Sequence, residues 1–324
     1  MKAMCLNQSA AFVWQEVPDP VRHDEFDVKI RVRACALNRA DLLQRAGLYA
    51  PPPEWPAWPG LECAGEVVEA PANGRFRPGD RVCALLGGGG YAEQVVVPHG
   101  MCLPVPDGFS FEEASAIPEV YATAYLNLRR VADLQCGETL FVQAGACGLG
   151  IAAIQLAKHV FGARVVTSVG SDEKVAFVTS MGADAAVNRR TGDLLALLDA
   201  NPPDVALDPV GGPQMGSAFA KMKPHGRWIM LASLAGAQTQ IDLNAVWRRG
   251  LRLMGSTLRS RTSAEKGDIL AALEREVWPL FANRTIAPVL HRVLPITDVA
   301  EAHRILSANE NIGKVVLSLS TSHT

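Results

Sequence analysis

Apolar and polar residues alternate along Val28-Lys29-Ile30-Arg31-Val32-Arg33, the period of two that marks a half-buried β-strand. Residues 65–69 and 91–97 carry the same signature, and turn residues such as Arg77-Pro78-Gly79-Asp80 separate these runs. The rhythm changes near residue 118. A helix is expected over 119–131, a strand over 139–142, a helix over 149–161, a strand over 164–169 and a helix over 174–181. Short apolar runs at 204–207, 227–231 and 251–255 add strands. Such alternation implies a parallel sheet covered on both faces. Beyond Leu258 the pattern gives a helix over 264–280, a strand over 289–293, a helix over 297–308 and a last strand over 314–319. The fold class is therefore α/β. A β-rich domain is formed by both termini (1–118 and 257–324), and a doubly wound parallel-sheet domain lies between them (119–256), with a cleft expected where the two meet.

The totals fit this division. A chain of 324 residues is long for one core, and 48% hydrophobic with 20% charged residues is ordinary for a globular protein. A net charge of −2 supplies no basic surface for nucleic acid or anionic lipid, which leaves small metabolites as the natural partners. Seven scattered cysteines with no CxxC pair indicate neither a disulfide framework nor a zinc ribbon, and a reducing, cytoplasmic setting is expected. The N-terminus turns polar too soon for a signal peptide, and the most apolar stretch, 140–157, falls short of the ~20 residues that cross a bilayer. No repeat or low-complexity tract is present.

The strand at 139–142 runs into Gln143-Ala144-Gly145-Ala146-Cys147-Gly148-Leu149-Gly150 and then a helix, the layout that holds a dinucleotide pyrophosphate. Against GxGxxG the middle glycine is replaced by Cys147, with Gly148 beside it to restore close approach. Gly87-Gly88-Gly89-Gly90 precedes a strand instead of a helix and is expected to be a flexible turn. An NAD site places Asp or Glu at the end of the second strand, where this chain has Val169-Gly170-Ser171. Asp172 and Glu173 suit the dipole of the next helix and are expected to face solvent, whereas Ser171, Lys174 and Arg189 suit a 2′-phosphate. NADPH is the expected cofactor.

Ala36-Leu37-Asn38-Arg39-Ala40-Asp41, the 144–150 loop, Thr257-Leu258-Arg259-Ser260-Arg261 and Asn311-Ile312-Gly313-Lys314-Val315-Val316-Leu317 resemble the zeta-crystallin-type quinone oxidoreductases of the zinc-free medium-chain dehydrogenase/reductase superfamily. Leu42-Leu43-Gln44-Arg45 leading to Tyr49-Ala50-Pro51-Pro52-Pro53 is most similar to the tumour-suppressor-inducible branch. The resemblance spans the chain and implies a GroES-like domain, a Rossmann domain, NADPH as hydride donor, a quinone acceptor and a homodimer. Zinc alcohol dehydrogenases of the superfamily carry Cys at the position of Asn38 and Gly-His-Glu where this chain has Gly60-Leu61-Glu62, so no metal site is expected. Arg189 stands where relatives often have Tyr.

Without a Lewis acid the acceptor must already be electrophilic, as quinones and enones are. The resemblance places Asn38, Tyr49 and the 51–59 Pro/Trp loop at the substrate end. Asn38 either donates to a substrate oxygen, holds the nicotinamide ribose or is a turn residue. Tyr49 either bonds the reduced oxygen or packs. Cofactor contacts are expected from Asn38, Thr123, Ala144, Gly145, Ala146, Cys147, Gly148, Leu149, Gly150, Ser171, Lys174, Arg189, Ser233, Leu258, Arg259, Asn311 and Lys314. His159, His225, His291 and His303 lack HxxxH spacing and read as structural or surface residues, and Cys147 reads as a small loop residue open to oxidation. Two other functions fit the same residues: an enone or alkenal reductase, and a NADPH-binding structural or sensing protein with negligible turnover.

Overall fold

The computed structural model describes residues 1–319. The chain forms two compact units, residues 1–122 joined by residues from 261 onward, and residues 123–260. The change of unit falls inside the Pro118–Tyr125 helix at one end and at Ser260/Arg261 at the other, each four residues past the expected boundary.

The middle unit is a six-stranded sheet in which every neighbouring pair runs parallel. In space the strands are ordered Ala185–Asn188, Arg164–Val169, Thr139–Gln143, Val205–Asp208, Arg227–Met230, Arg252–Gly255. The order reverses at Thr139–Gln143, and a Rossmann fold binds its ligand at such a switch point, beyond the carboxyl ends of the strands. Arg164–Val169 shows why the strands form: after Arg164 every residue is buried, as a strand covered on both faces requires. Its two polar members are satisfied internally. Thr167 Oγ1 donates to the Val142 carbonyl at 2.7 Å and Ser168 Oγ to Gln143 Oε1 at 3.0 Å. Trp228, fully buried, packs on Phe141 and Phe219, and its indole N–H donates to Asp208 at 3.1 Å. Truncating such a side chain to Ala costs about 3–5 kcal/mol.

The helix expected over 119–131 divides into an α-helix, Pro118–Tyr125, and a π turn, Leu126–Val131. Buried Asn127 explains the change. Its carboxamide donates to the Thr123 carbonyl at 2.7 Å, a group the α-ladder would use, and Ala132 N–H reaches back five residues to the Asn127 carbonyl.

The other unit holds a two-stranded hairpin, Lys2–Leu6 with Phe12–Glu16, and a seven-stranded sheet centred on Asp27–Ala36. One edge of that central strand pairs with Glu62–Glu69. Its other edge pairs first with Gln94–Pro98, along residues 27–31, and then with Lys314–Ser318, along residues 34–36. The C-terminal strand thus docks antiparallel on the end of an N-terminal one, and the two termini build one GroES-like domain. The strand expected to open at Tyr91 begins at Gln94, because residues 91–93 bond instead to the N-terminal strand, through Met4 N–H to the Tyr91 carbonyl and Glu93 N–H to the Lys2 carbonyl.

The glycine run at 87–90 is a buried packing surface and not a flexible turn. A Cβ on Gly87 would stand 2.4 Å from the Trp55 ring, and one on Gly89 would stand 2.8 Å from Pro56. Trp58 Nε1 closes the contact by donating to the Gly89 carbonyl at 2.9 Å.

Candidate functional site

In the middle unit the glycine loop leaves Thr139–Gln143 with Ala144 in the left-handed region, φ 60°. A Cβ on Gly145 would meet Thr167 Oγ1 at 2.1 Å, and one on Gly150 would meet Gly145 Cα at 2.5 Å. The outer glycines of the fingerprint are therefore required by the turn's own packing against the next strand. Cys147, at the middle position, caps the Gly148–His159 helix, its Sγ accepting from Gly150 N–H at 3.3 Å. The loop leads the backbone into a twelve-residue helix, whose first N–H groups and dipole suit a diphosphate.

Ser171 follows the Arg164–Val169 strand and caps the Asp172–Ser180 helix, accepting from Lys174 N–H at 3.3 Å. Its hydroxyl hydrogen is left to donate. Lys174 and Arg189 each have their proton affinity lowered, chiefly by partial burial. The second cause is a cationic neighbour, Arg189 for Lys174 and Arg190 for Arg189, and both shifts are partly opposed by Cys147. The Arg189 guanidinium lies over Gly170, where a Cβ would stand 3.3 Å from it. Asp172 and Glu173 are exposed, and Asp172 also accepts from Asn188 Nδ2 at 2.8 Å, so one acid serves to hold the next strand. A glycine loop, a helix start and the Ser171 hydroxyl are a donor set that suits a nicotinamide dinucleotide. Ser233 is exposed just beyond the Arg227–Met230 strand, Leu258 is buried and Arg259 half-buried; Thr123 lies near the end of its helix.

The other unit brings Asn38 and Lys314 together. Asn38 lies two residues past the end of the central strand and precedes the Arg39–Arg45 helix. The Lys314 ammonium, 4% exposed, donates to the Leu37 carbonyl at 2.6 Å, to Asn38 Oδ1 at 2.7 Å and to Glu62 Oε1 at 2.7 Å. An ammonium has three hydrogens, and all are engaged inside this unit. Lys314 was expected at the cofactor; the structure gives it this internal cage. Asn311, also expected there, donates through Nδ2 to the Gly313 carbonyl at 2.6 Å within the turn before Lys314. Glu62 accepts in addition from Asn38 Nδ2 at 2.9 Å and, through its second oxygen, from Glu119 N–H at 2.8 Å. Tyr49 is half-buried in the loop after the Arg39–Arg45 helix.

Behind Asn38 lies a second buried group that the sequence did not single out. Asp41 accepts from Asn38 N–H at 2.7 Å, Gly60 N–H at 3.1 Å and the Tyr91 hydroxyl at 3.2 Å. Burial raises its carboxyl to about 6, against the opposing pull of those N–H donors and of Lys314. His303 Nε2 stands 3.4 Å from the Tyr91 hydroxyl, and burial, with the charge of Arg45 second, lowers the ring to about 3. Only the spacing Asn38-x-x-Asp41, a cap pattern, hinted at this group. Among the described residues no three His, Cys, Asp or Glu side chains converge as a metal site would, and no helix is long and apolar enough to cross a membrane.

Comparison with known proteins agrees with this architecture. Residues 24–107 match the alcohol dehydrogenase GroES-like domain family, and residues 148–275 match the zinc-binding dehydrogenase family. Quinone oxidoreductase-like protein 2 of Bos taurus is 29% identical over 323 residues, 98% of this chain and 92% of that protein. The synaptic vesicle membrane protein VAT-1 homolog of Rattus norvegicus is 32% identical over 308 residues, 90% of this chain and 76% of that protein. Among solved structures, the quinone oxidoreductase from Thermus thermophilus, described also in complex with NADPH, superposes with a TM-score of 0.84 at 32% identity, covering 98% of this chain and 100% of that one.

Proposed function

Since the chain belongs to the quinone oxidoreductase-like medium-chain dehydrogenases, whose fold serves nicotinamide-dependent oxidoreduction, we propose that it is a NADPH-dependent, metal-independent reductase of quinones. The observation that carries the reading is the Arg189 guanidinium lying over Gly170 beside the Ser171 cap, on a strand end that holds Val169 where an acid would exclude a 2′-phosphate. Glycine loop and helix start hold the diphosphate; Ser171, Lys174 and Arg189 hold the phosphorylated ribose. The bound nicotinamide supplies a hydride. The chain's own part is to bind and orient: the Asn38 carboxamide donates a hydrogen bond to the acceptor oxygen, and Tyr49 supplies a second donor, its hydroxyl. That hydride, with one proton from solvent, would balance the reduction of a quinone to its hydroquinone.

The test is kcat/KM for NADPH and for NADH with one quinone, in the parent and in Lys174→Ala. Charge-assisted contacts of this kind contribute roughly 1.5–3 kcal/mol each, so a preference for NADPH of ~100-fold is expected. Both cations are partly solvated, and removing Lys174 should lower the preference ~10-fold. Equal use of both cofactors by the parent refutes the assignment. Faster turnover of enones than of quinones reassigns the acceptor.

We also propose a homodimer in a reducing, cytoplasmic setting. Arg252–Gly255 is the open edge of the parallel sheet, and Leu253 upon it, with Trp247 and Leu243 of the preceding helix, is exposed. An antiparallel pairing of that edge with its own copy would cover them. Trp247→Glu should then sediment as a monomer where the parent is a dimer. A parent that sediments as a monomer ends the idea.

A further inference from the structure

The cage around Lys314 does something a stability argument does not explain. Lys314 and Glu62 are 5% and 0% exposed at their side chains, and a buried ion pair is commonly replaced by apolar residues of similar volume without loss of stability. The charges nevertheless fix one thing well, the orientation of Asn38. With the ammonium on one side and the carboxylate on the other, the carboxamide has a single allowed setting, Oδ1 to Lys314 and Nδ2 to Glu62. Reversing the amide would set N–H against N–H and oxygen against oxygen. Asn38 precedes a helix, the N–H of Asp41 bonds to its backbone carbonyl at 3.0 Å, and its own N–H is held by the Asp41 carboxylate. Both ends of Asn38 are thus pinned, the backbone by Asp41 and the carboxamide by Lys314 and Glu62. Glu62 takes one of the two carboxamide hydrogens, and the second is left to donate.

We propose that Lys314 is a positioning residue: its ammonium, with Glu62, clamps the Asn38 carboxamide so that one N–H is presented in a fixed direction to the oxygen of the acceptor being reduced. This rests on the reading of Asn38 as the residue that meets the acceptor. The clamp replaces mobility by preorganisation, since a donor already aligned with the developing oxyanion loses nothing to reorientation during the reaction. It also accounts for the long reach of the ion pair, which joins residues 252 positions apart at the strand ends beside Asn38.

The test is the charge-free replacement Lys314→Met/Glu62→Leu, which keeps the space filled, made in the parent and in Asn38→Ala. A folded variant should bind NADPH, by fluorescence titration, within about twofold of the parent, while kcat for a quinone falls ~10- to 100-fold, the range for a misdirected donor. In the Asn38→Ala background the same replacement should change kcat by less than about twofold, because the donor it positions is already gone. Unchanged kcat in the replacement, an equal fold-loss in both backgrounds, or a loss of NADPH binding overturns the proposal. A second measurement requires neither turnover nor a folded variant. In the isotopically labelled parent, the Asn38 carboxamide hydrogen held by Glu62 should exchange with solvent far more slowly than that of an exposed Asn. Free exchange of both hydrogens overturns the clamp. A parent that reduces neither quinones nor enones sinks the proposed function instead, and leaves the clamp to be judged by that exchange.

Discussion

His303 and Asp41 titrate in opposite senses, and removing either should expose the other in the pH dependence of stability. His303 is 1% exposed, edge-on to Phe12 with ring centroids 4.7 Å apart, and lowered from 6.5 to about 3 chiefly by burial. The unfolded chain takes up a proton there below pH about 6.5 that the folded chain refuses, so the folded state loses stability as pH falls from 6.5 towards 3. Asp41 is raised from 3.8 to about 6, so between those values the folded chain holds a proton that the unfolded chain does not, and stability is gained as pH falls. Each group contributes about 1.4 kcal/mol per pH unit within its window. The two slopes oppose each other between pH 6 and about 4, and the parent shows little net effect from the pair. In His303→Gln the loss on acidification disappears: its destabilisation relative to the parent should shrink by about 2 kcal/mol between pH 7 and pH 5. In Asp41→Asn the gain disappears, and the penalty relative to the parent should grow by about 1 kcal/mol over the same interval. The assay is urea unfolding of parent and variants at pH 7, 6 and 5, with the His303 ring followed by NMR in the folded parent. Differences that stay constant with pH, or a His303 ring that titrates near 6.5, would refute the assignment of buried, opposed groups.

Two further outcomes test the substrate end. Purified protein should contain no stoichiometric zinc and keep its activity in strong chelator, because Asn38 and Leu61 stand at the ligand positions and the Lys314 ammonium fills the cage beside them; one tightly held zinc per chain, with activity lost on its removal, would overturn the mechanism. Tyr49→Phe should lower kcat/KM for several quinones by ~10-fold or more while the Kd for NADPH stays within about twofold, and an unchanged kcat/KM removes Tyr49 from the reaction.

The central strands of the parallel sheet were legible because burial on both faces forces a nearly unbroken apolar run, and a helix period follows at once; the edge strand Ala185–Asn188, four residues long and mostly half-buried, was not. The strand expected over 164–169 has those ends in the structure. Elements governed by single contacts were not legible. Cys102–Pro104 is too short to show a period, and Phe12–Glu16 keeps every residue at least partly exposed. The break in the helix expected over 119–131 turns on one carboxamide, Asn127, competing for one carbonyl, and no window of hydropathy registers that. The glycine run at 87–90 was misjudged because four glycines look mobile from within the chain. What fixes them is Trp55, Pro56 and Trp58, which lie some thirty positions earlier in the sequence.

The site divides along the same line. Gly145 and Gly150 are local necessities of a strand turning into a helix, so their spacing announced them. Lys314 was visible as a residue but not in its role, because Asn38 is 276 positions away and Lys-Val-Val-Leu reads equally as a strand with one polar end. Register decides the matter. Val316 opposes Ala36, Leu317 opposes Cys35 and Ser318 opposes Ala34; the same antiparallel register, continued outward, sets Lys314 opposite Asn38. A slip of one residue would send the Lys314 side chain to the other face of the sheet and leave Glu62 buried beside no cation. The register itself is held by the fully buried Val316 and Leu317 against Ala36 and Cys35, so the packing that completes the GroES-like sheet also places the cation that holds Asn38 Oδ1.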